Sequence, residues 1–228
     1  MGMSNVRPTV DEEIALWNKG YWVVGVDEVG RGAFAGPLVV GAVVYPPFFH
    51  HNTQCEKILS EVRDSKLLLP EKRVELSSCI NKHSIAISLA EVSVRVINKV
   101  GVGRANQIGF RKAIQKIQKA FPDKKLFILV DGFHAKYVRG IGLKNQKAII
   151  KGDQKSITIA SASIIAKVHR DDIMTKLSRK FPRYLFAQHK GYGTAAHRSF
   201  LMKFGMTPIH REVFCRRSLL IASPLLFY

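Results

Sequence analysis

The sequence predicts an α/β fold, a mixed central sheet flanked by helices, with a helical C-terminal portion. Three observations carry that reading. Three β-rich segments come early, at residues 21–26, 36–45 and 83–91. An unbroken apolar run, Leu126-Phe127-Ile128-Leu129-Val130, then stops at Asp131-Gly132. This is the pattern of a central strand buried on both faces that finishes at a polar edge. Finally, residues 156–181 keep a helical period, with Ile157, Ser161, Ile164 and Val168 stepping by four, three and four.

The elements follow in order. The run at 36–45 carries Val39, Val40, Val43 and Val44, and the glycine-punctuated stretch from Asp27 to Ala35 separates it from the first run. The two therefore read as a β-hairpin whose connection is chemically loaded. In the third segment Ile85, Ile87 and Leu89 alternate onto one face, as in a half-buried strand, so the three can form an antiparallel meander. Residues 106–120 read as a helix with Ile114 and Ile117 apolar, and 148–150 as one more short strand. Thr194 can cap a last helix that Gly205 ends, before Pro208 breaks the chain. The 228 residues suit one large domain. Its expected divisions are an N-terminal segment at 1–20, a main α/β domain at 21–185, and a helical portion at 186–228 packed on it.

Charge narrows the partner. The chain has 36 Lys and Arg against 17 Asp and Glu, a formal net charge of +19, on an ordinary globular composition of 46% hydrophobic residues. Such a surplus on a folded protein favours a polyanion, nucleic acid foremost, because basic groups that neutralise phosphates release condensed counterions. The surplus is uneven. Residues 1–60 hold four basic and six acidic side chains, and beyond Glu91 the only carboxylates are Asp123, Asp131, Asp153, Asp171, Asp172 and Glu212. The positive field around such an acid would favour its ionised form, ready to hold a cation.

Several classes are excluded. Cys55, Cys79 and Cys215 are odd in number and widely spaced, which fits neither a disulfide framework nor a structural zinc site and suits a reducing cytoplasm. Residues 1–13 have no apolar run behind a basic start, so no secretory signal is read, and Val6 breaks a myristoylation pattern at Gly2. No apolar stretch approaches the ~20 residues of a membrane span; residues 219–228 are short and interrupted by Pro224.

The scarce acids sit at informative places. Asp27-Glu28 follows the first strand, Asp131 ends another, and the helical stripe through Ile164 and Val168 lands on Asp171, while the one through Ile165 reaches Asp172 equally well. Adjacent strand residues face opposite sides, so Asp27 and Glu28 can share a site only where the strand ends or twists. Four such carboxylates would make an oxygen-rich cage suited to Mg²⁺ or Mn²⁺. Two ions ~4 Å apart are able to activate water and stabilise a departing oxygen in an in-line phosphodiester displacement.

Motifs then give a resemblance. Gly25-Val26-Asp27-Glu28-Val29-Gly30-Arg31-Gly32 resembles the opening motif of bacterial ribonuclease HII, the type 2 ribonuclease H family. Asp64-Ser65-Lys66, Val130-Asp131-Gly132, Lys151-Gly152-Asp153, the stretch from Ser161 to Asp171, and His189-Lys190-Gly191-Tyr192-Gly193-Thr194 follow in the family's order. Six ordered motifs over about 170 residues are specific because chance matches multiply. The resemblance implies a ribonuclease H-like fold and a two-metal endoribonuclease. It would cut the RNA strand of RNA/DNA hybrids, and also 5′ to single ribonucleotides in duplex DNA, leaving 5′-phosphate and 3′-hydroxyl ends. It further implies Asp27, Glu28, Asp131 and Asp171 as catalytic, metal-binding carboxylates, choosing Asp171 over Asp172 because the family's acid follows an arginine, here Arg170. Gly30, Arg31 and Gly32 would read the 2′-hydroxyl, Tyr192 would stack on the sugar at the RNA-to-DNA junction, and Lys66 would contact a phosphate. A cytoplasmic monomer with no membrane or obligate protein partner is expected. Arg31 points to ribonuclease HII and away from ribonuclease HIII; Ala33 departs from the proline usual in the family.

Blander readings stand beside these. Lys151, Lys155, Lys167 and Arg170 can simply solvate exposed faces. Asp153 reads first as a helix cap and second as an outer support for the metal site. His189, His197 and His210 lack a ligand set and read as hydrogen-bonded structural groups. The rival functions are another nuclease of the same fold acting on branched DNA, and a basic nucleic-acid-binding protein whose acids are structural.

Overall fold

Val24 and Val26 on one side of the first strand and Val23 on the other are all buried, so the sheet they belong to is covered on both faces. The computed structural model describes residues 7–216. The readings made on Gly2 and on 219–228 fall outside them.

The chain runs α1 (Asp11–Trp17), β1 (Trp22–Val29), β2 (Leu38–Val44), α2 (Glu56–Glu61), α3 (Pro70–His83), β3 (Ala86–Val92), α4 (Val94–Val100) and α5 (Val102–Ala120). It continues through β4 (Leu126–Asp131), β5 (Gln146–Ile149), α6 (Ile157–Lys180), α7 (Phe186–His189) and α8 (Ala195–Phe204). The strand order is β3-β2-β1-β4-β5. The first three pair antiparallel as the expected meander, and β4 and β5 add in parallel, so the sheet is mixed. One face packs on α6 with α1, α2 and α3; the other packs on α4 and α5.

Helix α6 positions the site. Its first ten residues are all buried, and five of them are Ala or Ser, which lets it lie close on the sheet. The sheet answers with glycine: a Cβ at Gly25 would strike the Thr158 backbone, and one at Gly41 would strike the Ala162 carbonyl. Ser156 caps the helix by accepting the Ile159 N–H at 3.2 Å. Glu13 of α1 supports the same end, where its Oε1 accepts from the Ser156 hydroxyl, the Thr158 amide and the Thr158 hydroxyl.

Some expectations shift. β1 continues to Val29 because its ladder with β2 persists to the Val29–Val39 pair, so Asp27 and Glu28 lie within the strand rather than beyond it. In β3 the buried positions are Ser88, Ala90 and Val92, packed towards α5; Ile87 and Leu89 are half-buried and Ile85 is exposed. α5 begins four residues earlier than the periodicity indicates, and β5 lies at 146–149. Helices α1 to α4 were not expected; α1, α2 and α4 are seven residues or shorter, too short for a periodic pattern. At the C-terminal end Thr194 caps α8 as expected, accepting the His197 N–H, and Gly205 follows its last turn at φ +74°. Phe186 centres a small apolar cluster there with Met174 of α6 and Leu201 of α8. Among the described residues no helix is long and apolar enough to cross a membrane.

Candidate active site

Val26 pairs with Val130 across the parallel β1–β4 ladder, so the next residue on each strand is Asp27 and Asp131. Neighbouring strands stand about 4.8 Å apart, which brings the two carboxylates side by side on one face. That face is the one covered by α6, and the Ser163 hydroxyl lies beside Asp27. Strand alternation sends Glu28 to the opposite face, where Asn106 of α5 meets it. The site is therefore not built on one face: Asp131 acts on both acids of β1 from the neighbouring strand.

Electrostatics follow from that packing. Burial pushes the Asp27 carboxyl well above the usual range, and Glu28, Asp131 and Asp153 add repulsion. Burial raises Glu28 to about 7, against the opposing effects of Asn106 and Arg31. Asp131 Oδ1 accepts the Gly152 N–H at 2.6 Å, and Asp27 Oδ1 accepts the Glu28 N–H at 2.7 Å. Asp153 is not the helix cap, since Ser156 takes that role. It is buried, raised to about 6 first by burial and next by Asp64, and pairs with Lys66 at 3.7 Å.

Asp171 stands on α6. It is held by Lys167 at 2.7 Å and by Arg73 at 3.5 Å, whereas Asp172 is exposed and pairs with Lys176 at the surface. The structure thus groups Asp27, Glu28, Asp131 and Asp153, and leaves Asp171 engaged by two cations. Among the described residues no three acids, histidines or cysteines are gathered closely enough to hold an ion as they stand. The donor set nonetheless fits a divalent cation. It consists of hard oxygen ligands that repel one another, Asp27 buried and Glu28 and Asp131 half-buried, and among the described residues neither Asp27 nor Asp131 forms an ion pair.

The glycine loop adjoins this group. Gly30 has φ +86°, and a Cβ there would collide with the Arg170 side chain, so both backbone and space require glycine. Gly32 has open space around its Cβ position. The Ala33 N–H donates to the Gly30 carbonyl at 3.3 Å and closes the turn; a proline at that position has no such donor. Arg31 lies 3.6 Å from Glu28 and stacks its guanidinium over the half-exposed ring of Phe133, 4.9 Å from the centroid. Its carbonyl is drawn inward by Arg211 Nη1 at 3.0 Å.

Arg170 and Arg211 are both fully buried and are satisfied by carbonyls rather than acids: Ala35, Pro37 and Lys190 for the first, Arg31 and Gly36 for the second. The bland surface reading of Arg170 is thereby corrected. Tyr192 is half-buried, with Arg170 5.4 Å and Lys167 6.0 Å from its ring centroid. It lines a cleft of about 840 Å³ together with Arg73, Lys167, Asp171 and Lys190. Asp27, Glu28 and Asp131 do not line that cleft. Lys66 stands exposed at the rim of the acidic group, 3.8 Å from Asp64.

Sequence reasoning missed Asn106, Arg73 and Arg211. Each has an ordinary local context, and its partner lies far away along the chain. Of these, Asn106 is the most telling: it is buried, meets Glu28, and its Oδ1 has no hydrogen-bond partner.

The family model described as Ribonuclease HII matches residues 24–217. A ribonuclease HII of Caldicellulosiruptor bescii is 43% identical over 220 residues, covering 96% of this chain and 99% of that protein. One from Chloroherpeton thalassium is 41% identical over 202 residues, 89% and 94% of the two chains. Among solved structures, Bst-RNase HIII in complex with Mn²⁺ superposes with a TM-score of 0.67 at 19% identity, over 90% of this chain and 71% of that one. That likeness shows a shared ribonuclease H-like fold.

Proposed function

The chain belongs to the ribonuclease HII family, and on that premise we propose how its residues divide the work of ribonucleotide-specific cleavage. As a ribonuclease H it is an endonuclease, a hydrolase that acts on the RNA strand of RNA/DNA hybrids. The finer reading is that it also cuts 5′ to single ribonucleotides embedded in duplex DNA and leaves 5′-phosphate and 3′-hydroxyl ends.

The observation that carries this reading is the pair Asp27, buried, and Asp131, half-buried, side by side, next to Glu28 and in no ion pair among the described residues. Asp27, Glu28, Asp131 and Asp171 would hold two divalent ions, Mg²⁺ or Mn²⁺; a Mn²⁺ complex is known for the structurally similar Bst-RNase HIII. Such ions supply the Lewis acidity that activates water and neutralises charge on the leaving 3′-oxygen. Lys167 and Arg73 hold Asp171 in its present orientation and remain available to the phosphate backbone once it turns to a cation. Gly30, Arg31 and Gly32 read the 2′-hydroxyl through a turn whose carbonyls are tied inward, and the 2′-hydroxyl is what separates RNA from DNA. Tyr192 offers its ring to the sugar at the junction, and Lys66 takes a phosphate. The reading includes a monomer that acts in the cytoplasm.

The test is a duplex with one ribonucleotide, incubated with the protein and Mg²⁺ or Mn²⁺. Cleavage 5′ to the ribonucleotide is expected, and Asp131→Asn is expected to abolish it. Intact substrate with both metals overturns the reading of specificity; an active Asp131→Asn protein overturns the site.

A further inference from the structure

His197 and His210 are buried in the C-terminal portion, and their hydrogen bonds leave each ring only one neutral form. The backbone N–H of Thr207 donates to His210 Nδ1 at 2.8 Å, so that nitrogen carries a lone pair and the ring proton sits on Nε2. Nε2 of His210 faces Nε2 of His197 at 3.1 Å, and the second must accept. The proton of His197 is then on Nδ1, which lies 2.9 Å from the Tyr192 carbonyl, a group that only accepts. Reasoning from the carbonyl end gives the same assignment, so the chain from Thr207 to Tyr192 is consistent in both directions. A second proton on His197 would set two N–H groups against each other across the 3.1 Å contact, and a second proton on His210 would set its Nδ1–H against the Thr207 N–H at 2.8 Å. Burial holds both imidazoles neutral, at about 4.

The chain ends on a residue whose backbone is fixed from several sides. The Tyr192 carbonyl also takes the Thr194 N–H at 2.8 Å, and the Tyr192 N–H donates to the His189 carbonyl at 2.9 Å. His189 stacks on His197 with ring centroids 4.3 Å apart. Tyr192 bridges to Ala33, and His210 to Ala35, so the same small ladder borders the glycine loop.

We propose that His197 and His210 are positioning residues for cleavage at an RNA–DNA junction. They form a relay fixed in one tautomer that sets the Tyr192 backbone, and so the ring presented to the sugar. The inference rests on the reading of Tyr192 as the junction contact.

Two measurements test it. In the wild-type protein at pH 7, ¹⁵N NMR of the imidazoles is expected to show His197 protonated on Nδ1 and His210 on Nε2. The reverse tautomer at either ring, or a cation, overturns the relay without requiring any variant to fold. The second is a double-mutant cycle on a single-ribonucleotide duplex, with folding checked by circular dichroism. His210→Ala should lower kcat/KM about 10-fold, and His210→Gln, which keeps an acceptor and a donor, should recover most of it. In a Tyr192→Ala background the same His210→Ala change should cost less than about 2-fold. Equal penalties in the two backgrounds overturn the positioning role while leaving Tyr192 as a contact. Full activity of Tyr192→Ala alone overturns the Tyr192 reading and this inference with it.

Discussion

Asp27 and Asp131 occupy the same step of two parallel strands, one residue beyond the Val26–Val130 pair. Two like charges at neighbouring strand positions oppose folding unless something between them is positive. Asp27→Asn removes one charge and keeps the shape, so the metal-free variant should melt higher than the wild type, by about 2–4 °C for each kcal/mol relieved. Added Mn²⁺ should raise the wild-type melting temperature and move the variant's far less. A variant less stable than wild type without metal would contradict the repulsion.

Arg211 ties the glycine loop from below through the Arg31 and Gly36 carbonyls. Arg211→Gln should cost about 2 kcal/mol of stability, because the Arg31 and Gly36 carbonyls lose a donor. It should also weaken the preference for a ribonucleotide over an all-DNA site more than it weakens cleavage of long hybrids. Denaturant unfolding and paired substrate assays read the two effects separately.

Glu13 is fully buried, and its carboxyl is pushed up by burial while Ser156 and Thr158 donate to it. Glu13→Gln keeps an acceptor at the start of α6 and should stay within about 1 kcal/mol of wild type. Glu13→Ala strands the donors and should cost about 3 kcal/mol, with active-site geometry disturbed through α6. Urea midpoints distinguish them; equal losses would show that the acceptor is irrelevant.

The pH dependence of stability has a sign fixed by the histidines. His197 and His210 sit near 4 in the folded protein and near 6.5 when unfolded, so between these values the unfolded chain binds more protons. Their contribution is full above about 6.5 and is lost as pH falls towards 4. Raised carboxylates such as Glu28, at about 7, act in the opposite sense, so the comparison must be wild type against His210→Gln. The groups facing the pair are His189, Tyr184, Phe186 and Phe34, with Arg170 and Arg211 nearby. The stability advantage of wild type over that variant should shrink between pH 6.5 and 4. A constant difference would show that His210 is not held neutral.

Much of the fold is legible in local pattern. Valine-rich runs, the stop at Asp131-Gly132, and the Ser156 and Thr194 caps depend on neighbours within a few residues, so strand order apart, the elements could be read directly. The short helices before α5 could not, because seven residues give too little period to register. The site was legible unevenly. Asp131 stands out as a scarce acid at a strand end and Asp27-Glu28 as an acidic pair before a glycine-rich connection, but periodicity leaves Asp171 and Asp172 equivalent until family motifs separate them. Asp153 reads from sequence first as a cap, and second as an outer support for the metal site, because it precedes a helix, whereas Ser156, three residues on, has the geometry to accept the Ile159 amide.

By itself, the sequence determined the chain's basic character, its α/β order, its rare carboxylates and its family likeness, since each is a property of composition or short-range spacing. Tertiary structure decided the rest. It set Asp27 against Asp131 through a parallel register and placed Glu28 on the opposite face beside Asn106. It also engaged Asp171 with Arg73 and Lys167, and joined Thr207 to Tyr192 through two histidines. These contacts link residues brought together by packing rather than by sequence spacing. The energy of a buried charge depends on what packing puts beside it, and no local pattern carries that information.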